Sequence, residues 1–282
     1  MVDCSLLFHL VQAIPLSAAL VLVGDADQLP SVGPGTILRD LLDFEGLASA
    51  RLTTIFRQAQ RSRIITNAHR INQGKMPDLS APGPDEVRDC YFLEQEDPVA
   101  VRELVVQLVS ERLPRKYGFE PYEDIQVLVP MHRGEAGAAH LNVVLQAKLN
   151  PPAEGKAEVM CGIHLFRVGD RVMVTKNNYN IGTAHGELGR IVEIDSVEQQ
   201  VHIRVDDRVI QYDFQNLDEL VLAYASSIHK SQGSQYRACV VVMLTQFYIL
   251  LQRNLLYTGL TRAQELLVLV GTKKALALVR ND

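Results

Sequence analysis

Residues Ala19–Gly35 read ALVLVGDADQLPSVGPG, and the fold is decided here. Ala19–Val23 is a short continuous apolar run, the pattern of a strand buried on both faces in a parallel sheet. The run stops at Gly24-Asp25, and the glycines and prolines that follow, through Gly35, forbid regular structure. Apolar residues resume with helical spacing at Ile37, Leu38, Leu41 and Leu42, and Leu6–Ile14 upstream has the same spacing. The pattern is helix, buried strand, loop, helix. It places a loop at the carboxyl end of a strand, where open α/β sheets bind ligands.

The same rhythm continues outward. Helical periodicity over Thr53–Asn72 is followed by a turn-rich stretch, Gly74–Pro84, and then by a strand at Tyr91–Leu93. A helix over Val99–Leu113, a strand at Ile125–Val129 and a helix over Glu135–Leu149 come next. At Pro151-Pro152 the pattern changes. From Leu165 to Val221 apolar and polar residues alternate, as at Val201, Ile203 and Val205, with breaks at Gly169-Asp170, Gly186–Gly189 and Asp206-Asp207. This predicts a small antiparallel barrel or sheet. A strand at Ala238–Leu244, a helix over Gln252–Arg262, a strand at Leu266–Val270 and a last helix near Thr272–Arg280 restore the α/β order. The β module thus reads as an insertion, expected to be removable with the α/β fold spared.

Composition excludes several classes. With 282 residues, 47% of them hydrophobic, the chain is neither a disordered tail nor a disulfide miniprotein. Its 28 Lys+Arg against 33 Asp+Glu give a net charge of −5, so any nucleic-acid site must be a local groove and not a global basic surface. Cys4, Cys90, Cys161 and Cys239 are scattered without ligand spacing, which argues for no metal site and for reduced thiols in the cytoplasm. No apolar stretch approaches the ~20 residues of a membrane span, and Met1-Val2-Asp3 enters an amphipathic pattern as if within a domain.

Four polar stretches stand where chemistry could reside. Asp25-Ala26-Asp27-Gln28 follows the first strand; Gln28 can donate to a phosphate oxygen or orient a water, while the two aspartates equally suit a simple turn cap. Arg57 stands beside Phe56, as a ligand-facing cation or a surface ion-pair partner. Ser226–Gln235 packs hydroxyls, amides, His229 and Lys230 into ten residues, suited to phosphate contacts or to a polar loop. Arg262 ends an apolar helical segment, where it can serve a ligand or the helix dipole. Absent are a G-x-x-x-x-G-K-[ST] phosphate loop and an acidic pair closing an apolar strand.

Taken in order, Leu22–Gly35, Leu52–Gln58, Ile228–Gln235 and Leu255–Arg262 resemble motifs III, IV, V and VI of superfamily 1 helicases, above all the RecD/TraA branch. Val168–Met173, with Asn177-Asn178-Tyr179 and Gly186–Gly189, resembles the SH3-like insertion of that branch. The resemblance implies an α/β fold: a RecA-like parallel sheet with an inserted SH3-like barrel, preceded by a remnant of a first RecA-like domain. The implied divisions are residues 1–50 for the remnant, 51–160 and 223–282 for the second RecA-like domain, and 161–222 for the β module. It places the phosphate loop and Mg²⁺-binding pair upstream of motif III, which makes this chain the carboxyl-terminal part of a longer protein.

By the same resemblance Gln28, Arg57 and Arg262 reach the γ-phosphate of ATP, while Asp25, Gly233 and Gln235 border the nucleotide. Ser227, His229, Lys230 and Ser231 face DNA phosphates, joined by Asn178 and Tyr179 of the insertion, where a plain β turn is the competing reading. Gln235 stands where this branch usually has Glu, and His185 where Asn is common before Gly186. The implied activity is ATP-dependent, 5′ to 3′ helicase action on single-stranded or partly duplex DNA, with ATP and Mg²⁺ bound by the intact protein and other subunits of a recombination or repair complex as partners. A non-catalytic module with a degenerate RecA-like fold is the alternative.

Overall fold

A computed structural model describes residues 2–52, 61–83 and 86–279. Three helices come first: α1 (Cys4–Ala13), α2 (Ile37–Asp43) and α3 (Arg63–Asn72). Then follow β1 (Cys90–Glu94), α4 (Pro98–Gln107), a π-helical turn at Leu108–Arg112, α5 (Leu113–Tyr117), β2 (Ile125–Val129) and α6 (Ala138–Leu149). The β module comprises β3 (Glu158–Cys161), β4 (His164–Arg167), β5 (Arg171–Val174), β6 (Leu188–Asp195), β7 (Gln200–Val205), β8 (Arg208–Asp213) and β9 (Leu220–Leu222). The chain closes with β10 (Ala225–Ser227), β11 (Tyr236–Met243), α7 (Arg253–Leu260), β12 (Ala263–Gly271) and α8 (Lys273–Leu278).

The central sheet has five strands in the order β1-β12-β11-β2-β10, and every neighbouring pair is parallel. Its strands are near-continuous apolar runs because helices cover both faces: all of β2 is buried, as is β11 from Ala238 to Met243. β11 and β12 approach so closely at their ends that a Cβ on Gly271, which has φ +150°, would collide with the Met243 carbonyl. Ser62 and Asp97 cap α3 and α4 by accepting from Ile65 and Ala100. The helix expected over Val99–Leu113 is a composite, with the π-helical turn between α4 and α5. The one expected from Glu135 starts only at Ala138, after Gly134 and Gly137 have shaped the turn.

Strand β10, hidden in the sequence by its three small residues, is an edge strand of this sheet. Its outer hydrogen-bonding positions are filled by a side chain. Asn142 of α6 donates from Nδ2 to the Ala225 carbonyl and accepts the Ala225 amide at Oδ1, both at 2.8 Å, as a neighbouring strand would. Asn142→Leu strands both backbone groups; we expect about 2 kcal/mol of lost stability, read as a lower urea midpoint.

The β module holds a five-stranded antiparallel sheet, β8-β7-β6-β5-β9, and the separate β3-β4 hairpin. β7 alternates between buried and accessible residues, as its sequence predicts. The module is joined to the parallel domain by more than its two linkers, because its polar core reaches into that domain, and its removal is expected to destabilise the α/β fold. Asp170 is fully buried and accepts from Gln146 and Asn150 of the α6 region (2.6 Å each), from the Arg167 amide (2.7 Å) and from the Tyr224 hydroxyl (2.8 Å). Arg171 donates to the Ile125 carbonyl of β2 at 2.7 Å and lies over the Tyr236 ring. Removing Leu165–Val221 takes both anchors away.

The strand expected at Ala19–Val23 does not form. Val21 is 80% and Val23 93% exposed, and among the described residues no strand lies beside them. An apolar run becomes a buried strand only where neighbours supply the ladder and both covering layers. The first fifty residues therefore build no sheet of their own. Among the described residues no helix is long and apolar enough to cross a membrane.

Candidate functional site

The loop after the bare run docks on the parallel domain through its polar residues. Four contacts hold it. Leu29 N donates to Thr258 Oγ1 (2.8 Å), and Gln232 Nε2 donates to the Leu29 carbonyl (2.6 Å). Tyr257 OH donates to Asp25 Oδ2 (2.9 Å), and Arg262 Nη2 donates to Gln28 Oε1 (3.1 Å). Asn72 of α3 adds a bond to Asp27 at 3.0 Å. Residues 229 positions or more apart in sequence thus share one cleft edge.

Arg262 lies two residues beyond α7 and is 5% exposed. Its guanidinium donates to the carbonyls of Thr258 (3.2 Å) and Ser234 (2.8 Å), to Thr261 Oγ1 (3.2 Å) and to Gln28. Every one of these partners is a neutral oxygen, and among the described residues no carboxylate forms an ion pair with it. Burial draws its pKa down from the ordinary guanidinium value, yet an arginine stays protonated in proteins. The result is a buried guanidinium bonded only to neutral oxygens, with the Asp25 carboxylate acting on it through space but not paired with it, an arrangement that suits a phosphate group.

The expected nucleotide-side residues are distributed as follows. Asp25 and Gln28 sit beside Arg262, while Arg57 lies outside the described residues. Gly233 is exposed, with φ +84° and nothing within 4 Å of where a Cβ would point, so a ligand has free approach to its backbone. Gln235 is exposed and accepts from Gln264 Nε2 at 3.0 Å. Among the described residues no three His, Cys, Asp or Glu side chains converge as a metal site.

Residues 228–235 cross the sheet from the carboxyl end of β10 to the amino end of β11. At the start of this crossing, His229 is half-buried and Lys230 exposed. Burial lowers the His229 pKa, which keeps its ring neutral at pH 7. Ser227 is partly accessible and accepts the Lys230 amide at 3.3 Å. Ser231 departs from its expected outward-facing place: it is fully buried, and its hydroxyl donates to the Ile228 carbonyl at 2.8 Å, closing the turn.

On the β module, Asn178 is engaged with Thr183 and Glu219 while Tyr179 is 88% exposed. His185, at the atypical position, bonds the Thr175 carbonyl through Nδ1 (2.7 Å) and donates its backbone amide to Asn177 Oδ1 (2.7 Å). It braces this loop from within.

Two groups escaped the sequence reading. His132 and Arg133 follow β2, whose carboxyl end pairs with that of β10 at Val129 and Ser227. The His132 pKa is lowered by burial first and then by the neighbouring charges of Lys230, His164 and Arg133. Their signal was position alone, after the carboxyl end of a buried strand. Tyr257 and Thr258 were read as part of an apolar helix, and nothing local distinguishes them from core residues.

The chain is similar to known proteins over nearly its whole length. Residues 1–83 match a family described as AAA domain, 141–206 the ATP-dependent RecD-like DNA helicase SH3 domain, and 222–270 the UvrD-like helicase C-terminal domain. The ATP-dependent RecD2 DNA helicase of Deinococcus radiodurans is 33% identical over 98% of this chain and 36% of its own length. The RecBCD enzyme subunit RecD of Mycolicibacterium smegmatis is 30% identical over 97% of this chain and 49% of its own. A probable conjugal transfer protein TraA of Sinorhizobium fredii is 29% identical over 88% of this chain and 21% of its own. The chain therefore spans half or less of the length of these relatives.

Proposed function

The chain belongs with the RecD-like superfamily 1 helicases, and from that premise we propose that it is the carboxyl-terminal motor half of an ATP-dependent DNA helicase. In this reading ATP with Mg²⁺ lies between an amino-terminal lobe that grips the phosphates and the cleft edge built by Gln28 and Arg262, with Arg57 joining them. Mg²⁺ supplies charge neutralisation on the phosphates when bound. Asp25, Gly233 and Gln235 border the nucleotide.

The observation that carries the proposal is Arg262, a buried cation whose partners are all neutral oxygens, one of them Gln28 Oε1 at 3.1 Å. A desolvated guanidinium with no directly paired carboxylate, only Asp25 acting on it through space, raises the energy of the empty site. A γ-phosphate supplies the missing charge, and the transition state, with more charge on the transferring group, benefits most. Gln28 touches the same guanidinium, so it can register whether the phosphate is present.

DNA, single-stranded or partly duplex, belongs at the opposite end of the strands. His132, Arg133, His229 and Lys230 emerge there from the adjacent carboxyl ends of β2 and β10, with Ser227 beside them and Asn178 and Tyr179 contributed by the β module. Such a face reads backbone and stacked bases more than sequence. Movement 5′ to 3′ belongs to the same proposal on the strength of the motif resemblance alone, and assembly with other subunits of a recombination complex on that of relatives that include a RecBCD subunit.

The chain lacks a phosphate loop of the G-x-x-x-x-G-K-[ST] kind. Residues 1–282 on their own are accordingly expected to hydrolyse no ATP above background in a coupled assay, with or without single-stranded DNA. The complete reading frame is expected to show DNA-stimulated turnover. Stimulated turnover by the short polypeptide would refute this division of labour.

A further inference from the structure

The Gln28 amide has two ends with opposite requirements. Its Nε2 donates to Asp25 Oδ2 at 2.9 Å, and its Oε1 accepts from Arg262 Nη2 at 3.1 Å. Reversing the amide would set an NH₂ group against the guanidinium and a carbonyl against the carboxylate, two repulsive contacts in place of two attractive ones. Asp25 thereby decides which end of Gln28 faces the arginine. Asp25 itself stands on an exposed loop, held by the Asp27 amide on Oδ1 (3.1 Å) and by the Tyr257 hydroxyl on Oδ2 (2.9 Å).

Tyr257 reaches Asp25 from α7, five residues before Arg262, so one helix leads to the arginine and also carries the group that orients the arginine's partner. Its ring is half-buried, and burial together with the Asp25 charge pushes the phenol pKa up, so it stays a donor.

We infer that Tyr257 is a positioning residue: through Asp25 it holds the Gln28 carbonyl toward Arg262, so that glutamine and arginine meet the γ-phosphate as one unit. This rests on the proposed roles of Gln28 and Arg262. Phenylalanine at 257 keeps the ring and deletes the one donor, which makes it the informative substitution.

The test compares the ATPase of the full reading frame, at saturating single-stranded DNA, in wild type, Tyr257→Phe, Gln28→Ala and the double variant. Tyr257→Phe is expected to lower kcat about tenfold, the rate equivalent of one hydrogen bond to a charged group. KM for ATP should stay within about twofold and the melting temperature within about 2 °C. In the Gln28→Ala background the same change is expected to add nothing. A wild-type kcat in Tyr257→Phe, or an equal loss in both backgrounds, would overturn the inference while leaving the motor reading intact. A wild-type rate in Gln28→Ala would remove the role of Gln28 and this inference with it.

Discussion

Arg262→Ala, introduced into the full reading frame, is expected to lower kcat for DNA-stimulated ATP hydrolysis by about 10³-fold or more. The size of the effect follows from where the charge sits. At 5% exposure, the guanidinium acts through a medium that screens it weakly, and among the described residues no carboxylate is paired directly with it, Asp25 acting only through space. Charge accumulating on the transferring phosphoryl group therefore meets nearly the whole field of the arginine, whereas ground-state ATP gains less. The loss should appear in kcat and kcat/KM together, measured by steady-state turnover, with single-strand affinity by fluorescence anisotropy unchanged. Lysine at 262 should restore little, because a point charge cannot hold the Ser234 and Thr258 carbonyls and the phosphate at once. A near-normal kcat in Arg262→Ala would reduce this residue to a tie between the end of α7 and the crossing loop.

Asp170→Ala is expected to destabilise the chain by about 3–5 kcal/mol, the combined cost of leaving several buried donors without an acceptor. Four donors converge on this carboxylate from Gln146, Asn150, Arg167 and Tyr224. Removing it leaves them buried and facing one another, and the parallel domain loses its polar join to the β module. Asp170→Asn should be nearly as damaging, since its NH₂ group would meet donors where acceptors are required. Urea unfolding with an unchanged m-value would show this as a lower midpoint. A shift below 1 kcal/mol in both variants would mean that water takes the place of the carboxylate.

Much of this architecture was legible in the chain. The runs at Ile125–Val129 and in β11 and β12 are long, apolar and flanked by helical patterns, and a parallel sheet is the arrangement that buries such strands on both faces. The alternation at Val201, Ile203 and Val205 likewise made the second sheet readable. Tertiary context decided the rest. Ala19–Val23 has the same local pattern as β2 but no neighbouring strand among the described residues, so pattern alone overstates it. β10 has three small residues and owes its existence to β2 and Asn142.

At the candidate site, Gln28 and Arg262 could be named from order and spacing, but their 3.1 Å contact could not. Tyr257 and Asp170 were invisible for one reason: a polar side chain acquires meaning from partners brought in by distant segments, and spacing along the chain does not encode those partners. Ser231 failed in the opposite direction, since a hydroxyl in a polar run looks available until a turn closes over it.

The Asn142 bridge to Ala225 bears on how copies of this chain can stick together. A flat edge with unsatisfied amides is a template on which a second molecule can nucleate fibrillar growth. Here that side of the parallel sheet is plugged from within, so an arriving polypeptide finds no free register at Ala225. The isolated polypeptide also presents greasy surface, with Val21 80% and Val23 93% exposed, and clumping through that surface would respond to salt or detergent.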